Sequence, residues 1–205
     1  MWQRWTEIDW NAVRPTADDV VASHGRIRFT LATVNSPAAL RLVDTFGSVL
    51  THDGGALLAA FTVDDVDDAA HWFFSRNRFA EYGFIEQLLT SDALATTLPP
   101  LAPVNPKPIE AKFEESNPLL LDGQLAAALV WGGPYQEFDK THAEAKRMCV
   151  EVCEELVGGR YEDFRVDRSS ASWSGWFHET VWDGTWVITD KRSERVTLLC
   201  ITDTD

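Results

Sequence analysis

The C-terminal residues 161–205 have the alternation and the turn residues of an antiparallel β-meander. The dipeptide Asp183-Gly184 is a strong hairpin signal, because both of its positions tolerate a positive φ. A second loop at Lys191–Glu194 would place Trp186 opposite Leu199. The predicted strands are Tyr161–Arg168, Ala171–Trp182, Thr185–Asp190 and Arg195–Thr202.

Both faces of this predicted sheet are apolar. In that register one face carries Phe177, Val181, Trp186, Ile188, Leu199 and Ile201, and the other carries Trp176, His178, Trp182, Val187, Val196, Leu198 and Cys200. A half-exposed antiparallel sheet would alternate polar and apolar side chains. The sheet is therefore either covered on both sides, or one aromatic face is a docking surface. Trp is enriched at interface hot spots, and four of the nine Trp lie in residues 173–186, so the docking alternative stays open.

The rest of the chain alternates strand and helix signals. Arg26–Val34 alternates apolar and polar residues, as a strand does. Ser36-Pro37 is typical of a helix start, with a Ser cap and a Pro in the first turn. A long amphipathic helix is predicted over Phe138–Val157, ended by Gly158-Gly159. Other predicted elements are a buried strand at Ala56–Thr62 and helices from about Asp64, over Phe79–Leu89 and over Asp122–Trp131.

These elements predict the α+β fold class. We expect an antiparallel C-terminal meander packed on the long helix, with an N-terminal mixed α/β portion. Five of the nine prolines lie in residues 99–108, which predicts an extended, semi-rigid connector. It would join an N-terminal α/β lobe at 1–98 to a helix-plus-sheet lobe at 109–205, or cross the surface of one continuous domain.

The net charge of the chain is −14, from 32 acidic against 18 basic residues. A field of this sign repels nucleic-acid phosphates and anionic lipid, and it attracts basic surfaces. We therefore expect a basic protein partner, with no nucleic acid and no membrane among the partners. Acidity also keeps a protein soluble without any partner. The one local cluster, Asp64, Asp65, Asp67 and Asp68, precedes a predicted helix, where negative charge is favourable.

Three sequence features bear on the cellular compartment: the first residues, the length of the apolar runs and the cysteines. Residues 1–7 lack the apolar stretch of a secretory signal, and no apolar run approaches the ~18 residues that span a bilayer. The three cysteines Cys149, Cys153 and Cys200 suit a reducing environment, where a free thiol packs as a small hydrophobe. We expect a cytoplasmic protein.

The sequence contains no catalytic or cofactor-binding motif of the common kinds. His142, Cys149 and Cys153 fall in one narrow sector of the long helix, where a soft metal would find ligands. They also lie on the apolar stripe of that helix, which favours core packing. His178 and Glu179 point to opposite faces in the predicted register. We predict no catalytic residue, no cofactor and no metal.

A resemblance rests on Trp182-Asp183-Gly184-Thr185-Trp186 and on the chain end at 198–205. An acidic protein with a Trp-rich sheet and no catalytic motif resembles the immunity proteins of bacterial polymorphic toxin systems. The resemblance implies a protein that binds and neutralises a partner. It transfers no site residue, because immunity proteins differ in fold.

The predicted function is that of a non-catalytic acidic binding protein that neutralises or recruits a basic protein. Aromatic anchors would lose their water on binding, and carboxylates at the rim would steer association. The predicted partner-binding residues are Trp176, Trp182, Asp183, Asp64, Asp65, Asp67 and Asp68. The alternatives are an enzyme whose site is assembled from dispersed residues, and a phage or mobile-element structural protein, with a DNA mimic as a special case.

Overall fold

The computed structural model describes residues 5–102 and 112–205. In these ranges an antiparallel sheet has the strand order β1-β2-β6-β5-β4-β3. Its strands are β1 (Arg28–Ala32), β2 (Gly55–Asp64), β3 (Glu114–Ser116), β4 (Phe164–Ser169), β5 (Gly184–Asp190) and β6 (Arg195–Thr202). The helices are α1 (Ala17–His24), α2 (Pro37–Val49), α3 (Asp68–Ser75), α4 (Phe79–Tyr82), α5 (Phe84–Leu89), α6 (Asp92–Thr97), α7 (Leu121–Trp131) and α8 (His142–Leu156). The predicted α+β class and the C-terminal meander are confirmed.

Helices and loops cover both faces of the sheet. On one face α2, α7 and α8 bury the side chains of Trp186, Ile188 and Leu199. On the other face α3 to α6 and the loop at 173–177 bury Val187 and Leu198. Every residue of β5 is buried. The sheet is therefore covered on both sides, which explains why its central strands carry apolar side chains on both faces.

The register of the last hairpin is as predicted. Trp186 lies opposite Leu199, and Val187 lies opposite Leu198. The connecting loop begins after Asp190, and β6 begins at Arg195. Period-two alternation specifies this pairing, because a slip of one residue would move every side chain to the other face.

The predicted hairpin turn at Asp183-Gly184 is wrong, and Ala171–Trp182 is not a strand. Gly184 is instead the first residue of β5, which pairs with β4 and β6. The carboxylate of Asp183 accepts hydrogen bonds from the Ser172 hydroxyl and from the backbone N–H groups of His178 and Thr180, which close the preceding loop on itself. A Cβ at Gly184 would come within 3.0 Å of the Trp186 ring. Asp183 therefore closes the loop, and Gly184 allows the Trp186 ring to pack closely against the backbone.

This correction also changes two predicted face assignments. Phe177 packs in the cluster that contains Val187, although it was expected beside Trp186. Trp182 packs against the cluster that contains Trp186, although it was expected beside Val187. Alternation along a strand cannot place side chains in a segment that is irregular.

Strands from both halves of the chain share the sheet. β2 pairs with β6 over its length, from Gly55 opposite Thr202 to Thr62 opposite Arg195. The division into lobes at 1–98 and 109–205 stays a prediction, beside the alternative of one continuous domain. Within the predicted connector, Pro99–Leu101 form one 3₁₀ turn, and residues 103–108 lie outside the described residues.

The long helix begins later than predicted and ends where expected. Thr141 caps α8 and exchanges hydrogen bonds with Glu144 in a capping box. Gly158 and Gly159 follow the helix with φ of 60° and 76°. The predicted helix at 79–89 is divided in two, because Gly83 has a φ of 77° and ends α4 before α5 begins.

A buried ion pair joins β3, β4 and the turn after α3. The guanidinium of Arg165 donates to both carboxylate oxygens of Asp167, at 2.6 and 2.5 Å. It also donates to Glu115 Oε2 at 2.7 Å and to the carbonyl of Asn77 at 3.0 Å. Both side chains of the pair are 4% exposed. Burial raises the pKa of the Asp167 carboxyl, and the hydrogen bonds from Arg165 oppose that rise.

Removal of one member of this pair should destabilise the fold. In Arg165→Met the Asp167 carboxylate stays buried without its counterion, and we expect the free energy of unfolding to fall by about 3–5 kcal/mol. The double variant Arg165→Met/Asp167→Leu should recover most of that loss, because neither charge remains. Urea denaturation at pH 7 measures both. A single variant as stable as the parent would contradict this account.

Candidate interaction groove

From Leu125 to Trp131, helix α7 is apolar around its circumference. Leu121, Leu125 and Leu129 face the core, while Ala127 and Trp131 on the opposite side are exposed. A surface helix normally carries polar residues on its outer face, and a helix that is apolar all round is normally buried. The outer face of α7 is therefore an apolar surface that the described part of the chain leaves open.

A groove of about 410 Å³ runs between α7, the end of the 171–183 loop and the sheet. Its volume lies in the range of ligand-binding clefts, about 300–1,000 Å³. Most of its lining is apolar, and the lining residues are Leu50, Leu120, Gly123, Gln124, Ala127, Ala128, Trp131, Gly132, Arg168, Val181, Trp182, Asp183, Gly184, Trp186 and Ile201.

Large apolar side chains stand exposed along this groove. Trp131 and Val181 are each 69% exposed, and they come from α7 and from the loop. Leu119 and Leu120, just before α7, are 62% and 57% exposed. Single exposed hydrophobics are ordinary, whereas a contiguous group of them marks an interaction surface. We call Trp131, Val181 and Leu120, which all line the groove, the apolar rim.

A second, open depression of about 740 Å³ lies on the other side of Trp131. Val130 and Ala126 form its apolar part, and Glu137 and His142 form its polar part. Trp131 thus stands between two concave surfaces. This is the arrangement of a protruding aromatic anchor with space on both sides for a partner.

Polar groups in the groove are few and mostly satisfied. Trp186 Nε1 donates to Gln124 Oε1 at 3.2 Å, and Gln124 Nε2 donates to Ser116 Oγ at 2.7 Å. The guanidinium carbon of Arg168 lies 5.4 Å from the centroid of the Trp186 ring, a cation–π contact. Arg168 is exposed at the mouth of the groove.

Two of the predicted partner-binding residues line this groove, in different roles. Trp182 is half-buried and packs beside Trp186. Asp183 is 3% exposed, and its carboxylate accepts from Ser172 Oγ at 2.6 Å, from the Thr180 backbone N–H at 3.2 Å and from Thr202 Oγ1. Asp183 is therefore part of the frame of the loop and does not present a carboxylate to a partner.

The other predicted partner-binding residues lie elsewhere. Trp176 is half-buried on the opposite face of the sheet, 5.2 Å from the ring of Phe177 between centroids. Ile201 in the groove pairs with Ala56, and Asp64 lies at the far end of β2, about 25 Å away at ~3.3 Å per residue. The structure thus separates Trp176 and the Asp64–Asp68 cluster from the groove.

The acidic cluster has local structural roles. Asp67 caps α3 by accepting from the Ala70 N–H at 3.0 Å, and it accepts from Ser23 Oγ at 2.6 Å. Asp64 accepts from Thr30 Oγ1 at 2.7 Å. Asp65 and Asp68 are exposed, and Asp65 has a φ of 57°. Asp64 and Asp67 thus hold local structure, and Asp64, like Asp65 and Asp68, is also exposed to solvent.

The residues weighed for chemistry are dispersed. Cys149 and Cys153 pack in the core, and burial raises the pKa of each thiol to about 12, so neither is a nucleophile or a ready metal ligand. His178 Nε2 lies 3.1 Å from the carbonyl oxygen of Asp53, and His142 is exposed. In residues 5–102 and 112–205 no three His, Cys, Asp or Glu side chains are grouped as metal ligands.

The sequence analysis missed the apolar rim and Arg168. The signal was present in Leu121–Trp131, which lacks a polar stripe after Gln124. The exposure of the outer face of α7 could not be predicted from the sequence. A helix with one exposed apolar face has the same sequence pattern as a helix that is buried on all sides. Within the described residues no helix has the length and apolarity to cross a membrane.

The chain was compared with protein-family models and with curated proteins. No family model matches it, and no curated protein matches it. Its candidate site is therefore defined by the geometry of the groove alone.

The role of Asp183 can be tested by a single substitution. In Asp183→Asn an amide N–H replaces one carboxylate oxygen and faces the Ser172 and Thr180 donors or the Thr202 hydroxyl. We expect the free energy of unfolding to fall by about 2–4 kcal/mol. Asp65→Asn is the matched control, because Asn accepts the positive φ and an exposed site should change stability by about 0.5 kcal/mol or less. Equal effects of the two substitutions in urea denaturation would refute the framing role.

Proposed function

We propose that this protein is a non-catalytic acidic binding protein that neutralises or recruits a basic protein partner. The single observation that supports the proposal best is the open apolar face of α7, with Trp131 69% exposed beside a groove. Exposing such side chains to water is unfavourable, and a partner that covers them gains that free energy.

The apolar rim has the composition of a binding hot spot. Trp is among the residues that contribute most to interface affinity, and hot spots lie in desolvated pockets near the centre of an interface. Trp131 would insert between surfaces of the partner, while Val181 and Leu120 exclude water on either side. Trp182 would form part of the groove wall. Trp176, on the opposite face, has no part in this surface.

The charge of the chain favours a basic partner. Its net charge is −14, and one exposed carboxylate, Glu137, lines the depression beside Trp131, while Glu179, also exposed, lies two residues before Val181 in the chain. Carboxylates around an apolar centre steer a basic partner and speed association, with an effect that falls as salt rises. Asp64, Asp65, Asp67 and Asp68 would add to this field from a distance.

Toxin immunity is the setting that we propose for this binding. An immunity protein acts by occlusion, so it needs a surface and no catalytic group. The cytoplasm is the compartment we propose, because three free, buried cysteines suit a reducing environment. The DNA-mimic alternative has less support, because Arg26 is ion-paired to Asp67 and Arg28 lies beside that cluster.

An enzyme with a dispersed site is supported by one observation. His142 and Glu137 line the same open depression beside Trp131, so an acid–base pair could form there around a ligand. The depression is broad and the two residues share no hydrogen bond or ion pair in the described structure. The binding proposal is therefore preferred.

The first experiment is affinity capture of partners from a lysate of the source organism. The tagged protein is incubated at low and at high salt, and retained proteins are identified by mass spectrometry. We expect one basic protein to be retained at low salt and weakened at high salt. If no basic protein is retained at either salt, the proposal fails.

A pair of Trp variants tests the surface. Trp131→Ala should weaken binding of the captured protein by about 2 kcal/mol or more, roughly thirtyfold in Kd, as expected for a hot-spot Trp. Trp10→Ala is the matched control, because Trp10 is 79% exposed and lies away from the groove. Isothermal titration calorimetry measures both. Equal losses in the two variants would exclude the rim as the interface.

The immunity setting has a separate test. The captured protein is expressed in bacteria alone, with this protein, and with its Trp131→Ala variant. Growth arrest that the parent relieves and the variant does not would support immunity. A captured protein that is harmless alone would leave recruitment as the function of the same surface.

A further inference from the structure

The inner end of the groove differs from the rim in its chemistry. Its accessible apolar walls include Ala128 and Trp182, and the buried side chains of Trp186, Leu50 and Ile201 complete its lining. A cleft of about 410 Å³ is large enough for the apolar body of a small ligand. Two charged side chains line the groove, and of these Arg168 is exposed whereas Asp183 is buried.

The guanidinium of Arg168 has no counterion in the described structure. No hydrogen bond or ion pair within the described residues involves it, and its one contact of note is with the Trp186 ring at 5.4 Å. Glu114 lies opposite it across β3 and β4 but is not within ion-pair distance. By contrast Arg165, on the same strand, binds both Asp167 and Glu115.

The Asp183 carboxylate and the Gln124 amide of the groove already have hydrogen-bond partners, whereas the Arg168 guanidinium has none in the described residues and is available to a ligand. The carboxylate of Asp183 is occupied by Ser172, Thr180 and Thr202. The amide of Gln124 is occupied by Trp186 and Ser116. A bound molecule would therefore meet mostly apolar walls and, among the residues the structure describes, one cation without a counterion, Arg168.

We propose that the groove binds an amphipathic monocarboxylate, a small molecule with an apolar body and one carboxylate. The body would lie in the groove against Ala128 and Trp182. The carboxylate would accept two parallel N–H bonds from Arg168, the geometry that a guanidinium matches best. This site goes beyond the binding of a protein partner and does not depend on it.

The proposal is tested with decanoate on the purified protein, below the concentration at which decanoate aggregates. Titration calorimetry and Trp fluorescence follow binding, with decanol and decyltrimethylammonium as the neutral and cationic counterparts. We expect decanoate to bind roughly five- to tenfold more tightly than decanol, as a partly exposed charge-assisted pair allows. The cationic counterpart should bind more weakly than decanol.

Variants assign the two ends of the ligand. Arg168→Gln should reduce decanoate affinity to that of decanol and leave decanol unchanged, and Arg168→Lys should be intermediate because it keeps the charge and loses the fork. Arg147→Gln, an exposed arginine on α8, is the matched control and should bind as the parent does. Ala128→Phe, which fills the groove, should abolish binding of both molecules.

Three outcomes would overturn the proposal. Decanoate could bind no more tightly than decanol, Arg168→Gln could bind decanoate as the parent does, or Ala128→Phe could leave both ligands bound. If Arg168→Gln fails to fold, Arg168→Lys and Ala128→Phe carry the test. Because no protein partner is present in these titrations, their failure would leave the proposed protein-binding function untouched.

Discussion

The backbone pairing of β2 with β6 is the interaction on which the rest of the fold depends. It places a strand from the first third of the chain beside the last strand. Without it, β1 and β2 would form an isolated two-stranded pair, and a sheet of only two strands is marginally stable in water. With it, the sheet is wide enough to support a layer of helices on each face. The cost in chain entropy of so distant a contact is recovered by the two cores that form above and below it.

The double coverage of the sheet explains the composition of its central strands. β5 is flanked by β4 and β6 and is buried at every position. Burying a charge in such a layer is costly unless it is paired, and the Arg165–Asp167 pair on β4 is the clearest case. The same requirement explains Asp183, whose buried carboxylate organises a loop that a two-residue turn cannot describe.

The candidate site arises from the way in which helix α7 covers the sheet. Helix α7 contributes its inner face to one core, and its outer face stays apolar and open beside Trp131 and Val181. The guanidinium of Arg168, which has no ion-pair partner within residues 5–102 and 112–205, lies 5.4 Å from the centroid of the Trp186 ring. The outer side of α7 thus presents the apolar surface that we propose for a protein partner. The groove beside it contains Arg168 and is the site that we propose for a small molecule.

Elements with strong local signals in the sequence could be predicted from the sequence alone. These are the β5–β6 register from period-two alternation, the α8 helix from its stripe and glycine stop, and the α+β class from their sum. Tertiary structure alone decided which dipeptide is a turn, which strands are neighbours and which apolar residues stay exposed. Asp183-Gly184 has the local preference of a hairpin, yet buried hydroxyl donors recruit its carboxylate. Trp131 looks like a core residue in the sequence, and Trp176 looks like an anchor. Exposure depends on what packs from elsewhere in the chain, and local residue preferences carry no information about that.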